Sequence, residues 1–589
     1  MRQQFKKDEK LVKMYKQKYD GIKDKNAKLL IKSIRGERNQ YYDYSESRIL
    51  QKELSKAFEA LTGYKMSECK TIDDLFNPKI VKALTSYVGD QEMIKLRQAA
   101  ELILDGPFTK HSYYRPSYRS NHVGLYAAYF FSYMTRAFDN YCYTETIVER
   151  LKKDAQIHVI DVALALRARD PEVIALTEEA IMGDNSEVTL TSTMIYGIMI
   201  AGCEQELEWL GKLFLVAKGQ EGIRQSILET CDMGNIKTHQ YFINLILEHD
   251  LCRFSSVIRA FGTWTGLAYS DVKQKVVEKH MRLAAKYLDS DADIEAGLDS
   301  DDVVEIYMAL WAQGCTEIKQ VFANVERLLQ NSTKYKRLVG WYFIRQSNDP
   351  LYALITALRH LDVRDPEELA WICSCISGLG LHRHDRINIS AFYKPEEIES
   401  IFHQIAEIIE FIGKKSTKFT ESVFPWITQT LSSEQLGQFL IGLAKASKSE
   451  KMLDRLADVV PLLEPVAREI YYKDLLKLDN PKHRKALFAG LSDRSKYARE
   501  AVVKRLSGLP LDNDEILLLV KKLTSKSATL RKAIMMVLDK QVEDQAVIAI
   551  DYLLVSKNNE QLLAGAELLE LNENLQVNYT DKIAKIHTI

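Results

Sequence analysis

Glycine and proline are scarce in this chain. The 589 residues include 26 glycines and 12 prolines, against an average usage of about 12 % for the two types together. Both disfavour helix interiors, since glycine adds backbone freedom and proline removes a hydrogen-bond donor. Their scarcity is typical of an all-helical protein. Five prolines follow an Asn or Asp, a pair that caps and opens a helix, at Asn77, Asp170, Asp349, Asp365 and Asn480.

Long apolar runs are also absent from the sequence. A membrane-spanning helix needs about 18–20 apolar residues, and the most apolar stretch, residues 194–201, is far shorter. The first ten residues contain no apolar core of a signal peptide. The eight cysteines are sparse, which is typical of reduced thiols rather than of a disulfide framework. We therefore predict a cytoplasmic protein that does not bind a membrane.

The sequence has neither a large net charge nor a recognisable catalytic motif. Basic and acidic residues number 80 and 81, so the net charge of −1 gives no argument for nucleic acid. There is no Gly-x-Gly-x-x-Gly, no Gly-x-x-x-x-Gly-Lys-Ser/Thr, no His-Glu-x-x-His and no Gly-x-Ser-x-Gly. These motifs bind nucleotides, hold zinc or position a nucleophile. We expect no cofactor, no metal and no catalytic residue.

What the sequence does contain is an internal repeat near its end. Residues 491–506 align without gaps on residues 523–538, and a weaker third copy covers residues 554–569. The leading Leu491 and Leu523 are 32 residues apart, and an amphipathic segment precedes each copy. Each unit is therefore predicted to be two helices joined by a short turn. Because one such hairpin cannot bury its apolar stripe alone, neighbouring hairpins must stack.

An arginine recurs at one position of these units. Arg499 and Arg531 each stand eight residues after the leading leucine, at the start of the predicted second helix. Arg224, Arg259 and Arg337 have the same offset from an apolar residue in weaker units upstream. The repetition indicates a structural role.

The pattern of Leu491, Asp493, Arg499, Ala501 and Leu506 resembles the HEAT repeat of the HEAT/armadillo class. The resemblance implies an all-α, right-handed α-solenoid of stacked hairpins with no significant β-sheet. In that family an aspartate in the turn and an arginine of the second helix form a ladder between repeats. The second copy has Ser525 in place of the aspartate, which interrupts the ladder there. The ladder residues implied by the resemblance are Asp493, Arg499, Arg531, Arg224, Arg259 and Arg337.

The chain also resembles the helical N-terminal regions of large bacterial proteins of unknown function of the molybdate-regulator-like type, which carry further domains downstream. Its last predicted helix, at residues 562–571, is apolar, and residues 572–589 provide only short cover. Because exposed terminal repeats need a polar cap, we expect further chain or another subunit to cover this end.

Composition and repeat rhythm divide the chain into five segments. The acidic segment has carboxylates at the alternate spacing of a calcium loop, but Ile294 and Ser300 occupy the required glycine and glutamate positions. We therefore predict a solvated loop there. The segments are a basic helical segment at 1–65, helical repeats at 66–288, the acidic loop at 289–302, irregular HEAT-like repeats at 303–480 and regular HEAT repeats at 481–589.

Two other clusters suggest chemistry. Residues 108–143 are rich in tyrosine and arginine, which could stack unpaired bases or pack as a loop between repeats. Cys373 and Cys375 precede a histidine-containing segment, but a Cys-x-Cys pair in a helix directs its thiols apart, which favours a charged loop over zinc. The candidate ligand or nucleic-acid surface comprises Tyr113, Tyr114, Arg115, Tyr118 and Arg119.

Three functions follow from these patterns. The leading prediction is a non-catalytic scaffold or adaptor that binds a protein partner on its concave surface, as part of a larger multidomain bacterial protein. The second is a solenoid that binds DNA or RNA through the basic N-terminal segment and the Tyr/Arg-rich stretch. The third is a helical-repeat DNA glycosylase, which needs an acidic residue in a basic groove. The first leads because the recurring arginines are explained as ladder partners.

Overall fold

The computed structural model of the chain is all-α apart from one small hairpin of strands. It describes residues 14, 17–34, 56–65, 72–90, 93–94, 96–97, 147–153, 157, 159–183, 188–217, 221–269, 271–316, 318–346, 350–377, 393–447 and 449–579. None of the helices in these ranges is long and apolar enough to cross a membrane.

The first part of the chain contributes helices α1 to α18. They are α1 (Lys25–Ile34), α2 (Ile72–Leu75), α3 (Pro78–Val88), α4 (Ile147–Lys152), α5 (Val159–Arg167), α6 (Pro171–Met182), α7 (Ser192–Ala201), α8 (Glu204–Val216), α9 (Glu221–Thr230), α10 (Ile236–Glu248), α11 (Ser255–Thr265), α12 (Gln274–Asp289), α13 (Asp291–Leu298), α14 (Val303–Thr316), α15 (Ile318–Leu329), α16 (Lys334–Gln346), α17 (Pro350–Leu358) and α18 (Pro366–Ser377).

The second part contributes two strands and ten further helices to the described structure. They are α19 (Pro395–Ile412), β1 (Thr417–Thr420), β2 (Thr428–Leu431), α20 (Glu434–Ser447), α21 (Glu450–Val459), α22 (Pro465–Ile470), α23 (Pro481–Gly490), α24 (Lys496–Ser507), α25 (Asn513–Lys522), α26 (Ala528–Leu538), α27 (Glu543–Leu554) and α28 (Asn559–Leu571).

Helix starts predicted from Asn–Pro and Asp–Pro pairs are confirmed at all five positions, and the capping side chain is described at four of them. The side chains of Asn77, Asp170 and Asn480 accept hydrogen bonds from backbone N–H groups in the first turns of α3, α6 and α23. The Oδ1 atom of Asp365 accepts two such bonds at the start of α18. At the fifth pair, α17 begins at Pro350 as predicted, while Asp349 itself lies outside the described residues.

The chain forms two compact units. Unit 1 comprises residues 1–357, 365–371 and 419–429. Within it, the helices form two rows in which neighbours contact one another in succession. One row consists of α6, α8, α10, α12, α14 and α16, and the other of α5, α7, α9 and α11. Each helix therefore covers the apolar face of the helix two places along the chain. Large side chains fill the space between the rows, and Trp264, Trp311 and Trp341 are almost fully buried.

Unit 2 comprises residues 358–364, 372–418 and 430–589. Its helices from α19 to α28 form five consecutive pairs. The second helices of these pairs contact one another in succession, in the order α20, α22, α24, α26 and α28. The first helices form two shorter series of contacts, one of α19, α21 and α23 and one of α25 and α27. The predicted stacking of hairpins in the C-terminal repeats is confirmed at this level. The right-handed solenoid stays a prediction.

The predicted acidic loop at residues 289–302 is wrong, because α13 forms inside it. The Ser290 side chain caps the helix by accepting a hydrogen bond from the Asp293 N–H group, and carboxylates in the first turn interact favourably with the helix dipole. Ile294 and Leu298 are buried. The apolar spacing of one helical face therefore outweighs the acidity that suggested a solvated loop.

A small antiparallel insertion interrupts the helices of the second part. β1 and β2 form the one two-stranded sheet in the described structure, so the prediction of no significant β-sheet is confirmed. Residues 419–429, at the tip of this insertion, belong to unit 1. The sequence pattern predicts only helical hairpins in this region and gives no sign of the insertion.

Candidate functional site

The turns within the last three hairpins of unit 2 lie side by side along one edge of the stack. Leu491 and Leu523 are buried and anchor the first two turns. Ser495, Ser527 and Asn558 then cap the second helices, since each side chain accepts a hydrogen bond from a backbone N–H group of the next turn. The same local chemistry thus presents the residues between anchor and cap three times. We call residues 491–500, 521–532 and 555–560 the basic edge.

The basic edge carries nine Lys or Arg residues and three acidic residues, and each of the three acids is already neutralised. Asp493 accepts two hydrogen bonds from Arg468 of the preceding hairpin, at 2.7 and 2.8 Å. Glu500 lies 3.8 Å from Lys496, and Glu560 lies 3.3 Å from Arg531. The edge therefore keeps a local excess of positive charge in a chain whose net charge is −1.

Within the described structure, six cations of the basic edge form neither an ion pair nor a side-chain hydrogen bond, whereas Lys496 and Arg531 form ion pairs and Arg499 binds a carbonyl. Lys521 and Lys522 end α25, where a positive charge is favoured by the helix dipole. Arg494, Lys526 and Lys557 instead immediately precede helix caps, where the dipole disfavours a cation. Their positions are therefore not explained by local helix electrostatics. The unpaired cations, which are exposed except for the half-buried Lys522, are Arg494, Lys521, Lys522, Lys526, Lys532 and Lys557.

The turns between successive hairpins have the opposite charge. Residues 508–515 and 539–544 together contain six acidic residues and one lysine. Several of these acids have local roles that explain them: Asp512 caps α25, and Glu515 pairs with Arg484 of the preceding hairpin. These turns join the ends of helices that lie opposite the basic edge. The last three hairpins are therefore electrically polarised across the stack.

An open depression lies on the basic edge between the last two hairpins. It encloses about 480 Å³ and is lined by Lys521, Thr524, Tyr552, Val555, Ser556 and Gln561. The Val555 side chain is 70 % exposed and that of Tyr552 is 39 % exposed. The buried Gln561 donates to the Val520 carbonyl at 2.8 Å and accepts from Ser556 at 2.5 Å. A fixed polar floor thus lies beneath two exposed apolar side chains.

The arginines predicted as ladder residues mostly bind main-chain carbonyls. Arg499 donates to the carbonyl of Asp493, and Arg531 donates to that of Ser525 at 2.7 Å. Arg224 donates to two carbonyls at the end of α8, those of Phe214 and Leu215, at 3.1 Å each. These contacts hold a helix end or a turn within one hairpin.

Two of the predicted arginines also form side-chain pairs between neighbouring elements, with partners other than the predicted aspartate. Arg531 of α26 pairs with Glu560 of α28 at 3.3 Å. Arg337 binds both carboxylate oxygens of Glu368, at 3.0 and 2.7 Å. Asp493 pairs with Arg468 rather than with Arg499. Arg259 is exposed on α11 and forms no such pair within the described structure. The bidentate pairs link residues 25 and 31 positions apart, spacings that the arginine offset alone did not indicate.

Other predicted site residues have no described geometry. Tyr113, Tyr114, Arg115, Tyr118 and Arg119 lie outside the described residues. Cys373 and Cys375 are buried in α18. The histidine-containing segment after them is also outside the described residues. Within the described ranges no group of three or more His, Cys, Asp and Glu side chains could hold a metal ion.

Unit 1 contains a second unusual cluster, at the end of α11. Gly266 has a φ of +78° and ends the helix, which leaves the last carbonyls without partners in the helix. Aromatic side chains from α14, α16 and the inserted residues 419–429 donate to them. The bonds run from Trp311 to Trp264, from Tyr307 to Thr265, from Tyr342 to Gly266 and from Trp426 to Leu267, at 2.5–2.9 Å.

The inserted segment also buries a carboxyl group. The Glu421 side chain is 2 % exposed, and neither of its oxygens forms a hydrogen bond of normal geometry within the described structure. Burial, together with the neighbouring Glu367, raises the pKa of Glu421 to about 8, whereas Trp371 acts in the opposite direction. Glu421 is therefore mostly protonated at neutral pH.

Glu367 is held in the ionised form beside it. Burial acts to raise the pKa of Glu367, but hydrogen bonds from Ser422 and Lys334 outweigh this effect and lower the pKa. The Ser422 N–H and hydroxyl groups donate to Glu367 at 2.7 and 2.6 Å, and Lys334 lies 3.1 Å away. The cluster fastens the insertion to α16 and α18. The contacts of Glu367 with the insertion and with Lys334 support a structural role.

The fold and the surface together define an all-α protein of stacked helices with a charged and partly apolar edge. Over residues 28–588 the chain matches the family of unknown function DUF5724, and it belongs to that family. No curated protein matches the sequence. The resemblances to HEAT/armadillo repeats and to molybdate-regulator-like proteins stay interpretations of the sequence.

Proposed function

We propose that this protein is a non-catalytic helical scaffold that binds a protein partner, and that the basic edge of unit 2 is the binding surface. The observation that carries the proposal is the open depression with the exposed Tyr552 and Val555 side chains. Apolar groups on a fixed, concave patch surrounded by polar residues are typical of protein-binding sites. Burial of the Val555 side chain in an interface would contribute about 1–2 kcal/mol.

The stacked helices support the same function. Helices in succession form long surfaces whose side chains come from many hairpins, and such surfaces commonly hold partners. The predicted HEAT-type resemblance implies the same class of role. The proposal places the partner at the turns rather than on the predicted concave face, because the unpaired cations and the depression occur together there.

The double substitution Y552S/V555S in the full chain tests the proposal. Affinity capture from cells that express the protein, followed by quantitative mass spectrometry, would compare it with the wild type. We expect at least one protein to be recovered with the wild type and to fall about tenfold with the double variant, as for loss of an interface anchor.

The matched control is M182S/V216S in unit 1. Val216 has the same 70 % exposure as Val555, and Met182, at 43 %, is close to Tyr552. This control variant should recover the same amount of the partner protein as the wild type. Equal recovery with wild type and Y552S/V555S would contradict the proposal.

A further inference from the structure

We infer that the segment bound at the basic edge is an extended acidic peptide with one apolar side chain that enters the depression. This inference rests on the proposed function and specifies the chemistry of the partner. Six unpaired cations surround a surface whose own acids are neutralised by Arg468, Lys496 and Arg531. Within the part of the chain that the structure describes this positive charge is not neutralised, so it is available to a group that comes from another molecule.

The spacing of the turns suits an extended chain. Packed helices lie about 8–10 Å apart, so three successive turns extend over roughly 20 Å. An extended peptide advances about 3.3 Å per residue, and about six or seven residues would pass all three turns. Arg494, Lys526 and Lys557 take equivalent places in the three turns. Acidic residues about three positions apart would thus meet one cation in each turn.

The lining of the depression favours a peptide over a nucleic acid. Val555 is aliphatic and is the most exposed apolar residue there, whereas unpaired bases bind mainly by stacking on planar side chains. Five of the six unpaired cations are lysines, which act as point charges, while arginine provides the two-pronged geometry that suits phosphate. A carboxylate-rich segment with a leucine-like anchor is complementary to this surface.

A defined peptide tests the inference directly. The probe is a fluorescein-labelled peptide of about twelve residues, rich in Glu and Asp with a central Leu, a length that exceeds the three turns. Fluorescence anisotropy with the full chain should show binding that weakens as salt rises from about 50 to about 300 mM. Replacement of the central Leu by Gly should weaken binding to the wild type but have little effect on binding to Y552S/V555S.

Charge reversal at the edge supplies the decisive comparison. K521E/K526E/K557E should weaken peptide binding at least about tenfold at low salt. K473E/K485E/K504E is the matched control, because it changes the charge of unit 2 equally at exposed lysines outside the basic edge that form no ion pair with any described residue. It should change the affinity by less than about twofold. Equal effects of the two triple variants would overturn the inference.

The outcomes separate this inference from the proposed function. If the acidic peptide does not bind while Y552S/V555S still loses a captured protein, the inference is wrong and the scaffold function stands. If a twelve-nucleotide oligo-dT or oligo-rU binds more tightly than the peptide, and K521E/K526E/K557E abolishes that binding, the edge is a nucleic-acid surface and both are overturned.

Discussion

At the scale of single residues, the buried Glu421 gives the protein a specific dependence on pH. Its pKa of about 8 lies above the usual value of 4.5, so folding takes up a proton between these pH values. The contribution of Glu421 to the free energy of unfolding is fully present below about pH 4.5 and is lost as the pH rises towards 8. We expect E421Q, which stays neutral, to be more stable than the wild type at pH 8.5 by on the order of 2 kcal/mol.

The measurement is the midpoint of thermal unfolding at pH 5, 7 and 8.5. The advantage of E421Q over the wild type should grow across this range. Glu464, buried in unit 2 with a pKa raised to about 7 by burial, offers an internal comparison. The advantage of E464Q should already level off near pH 7. A constant difference between E421Q and the wild type from pH 5 to 8.5 would show that Glu421 does not titrate as described.

The sequence predicted residue roles where the chemistry is local. The caps at Asn77, Asp170, Asp365 and Asn480 were predictable because the cap and the N–H groups it binds lie within three residues of each other. The burial of Glu421 was not predictable, since it depends on packing against residues more than fifty positions away. A lone glutamate in a polar stretch gives no sign of such packing.

At the scale of helical elements, Gly490 permits the close approach of α23 to its neighbours. A Cβ atom added there would lie 2.7 Å from Tyr472 Cζ and 2.7 Å from Val502 Cγ2, and both side chains are buried. We expect G490A to destabilise unit 2 by about 1–3 kcal/mol, as is common for overpacking. Urea unfolding followed by circular dichroism would measure the change.

The control for this substitution is G508A. An added Cβ atom there would have only backbone atoms near it, at 3.7 Å and beyond, and the φ of −95° suits other residues. The free energy of unfolding of G508A should therefore lie within about 0.5 kcal/mol of the wild-type value. If both variants were equally destabilised, steric contact at Gly490 would not be the cause.

Whole elements were predictable where their pattern repeats. The helix pairs from α23 to α28 follow the copies at 491–506 and 523–538, because each helix must bury the same apolar stripe. The insertion at 419–429 was missed because its strands are only four residues long. Trp426 reaches the Leu267 carbonyl, 159 residues away in the chain, and no local pattern records such a contact.

At the scale of the whole molecule, a net charge of −1 conceals the separation of charge in unit 2. Each cation of the basic edge is visible in the sequence. The sequence does not show that six of these cations lack partners in the described structure, because this depends on the pairing of Asp493, Glu500 and Glu560 with other residues. The candidate surface could therefore be predicted only in its composition, and its free positive charge required the three-dimensional arrangement.

Unpaired like charges on adjacent turns repel one another, so a surface kept free for a partner lowers the stability of the free protein. We expect K521Q/K526Q/K557Q to raise the free energy of unfolding by roughly 0.5–1.5 kcal/mol at low salt. Near 1 M salt the screening length falls to about 3 Å, and the gain should disappear. Urea unfolding at both salt concentrations measures this, with K473Q/K485Q/K504Q as the control. A gain that persists at high salt would indicate altered packing, and no gain at low salt would mean that the edge cations do not repel appreciably.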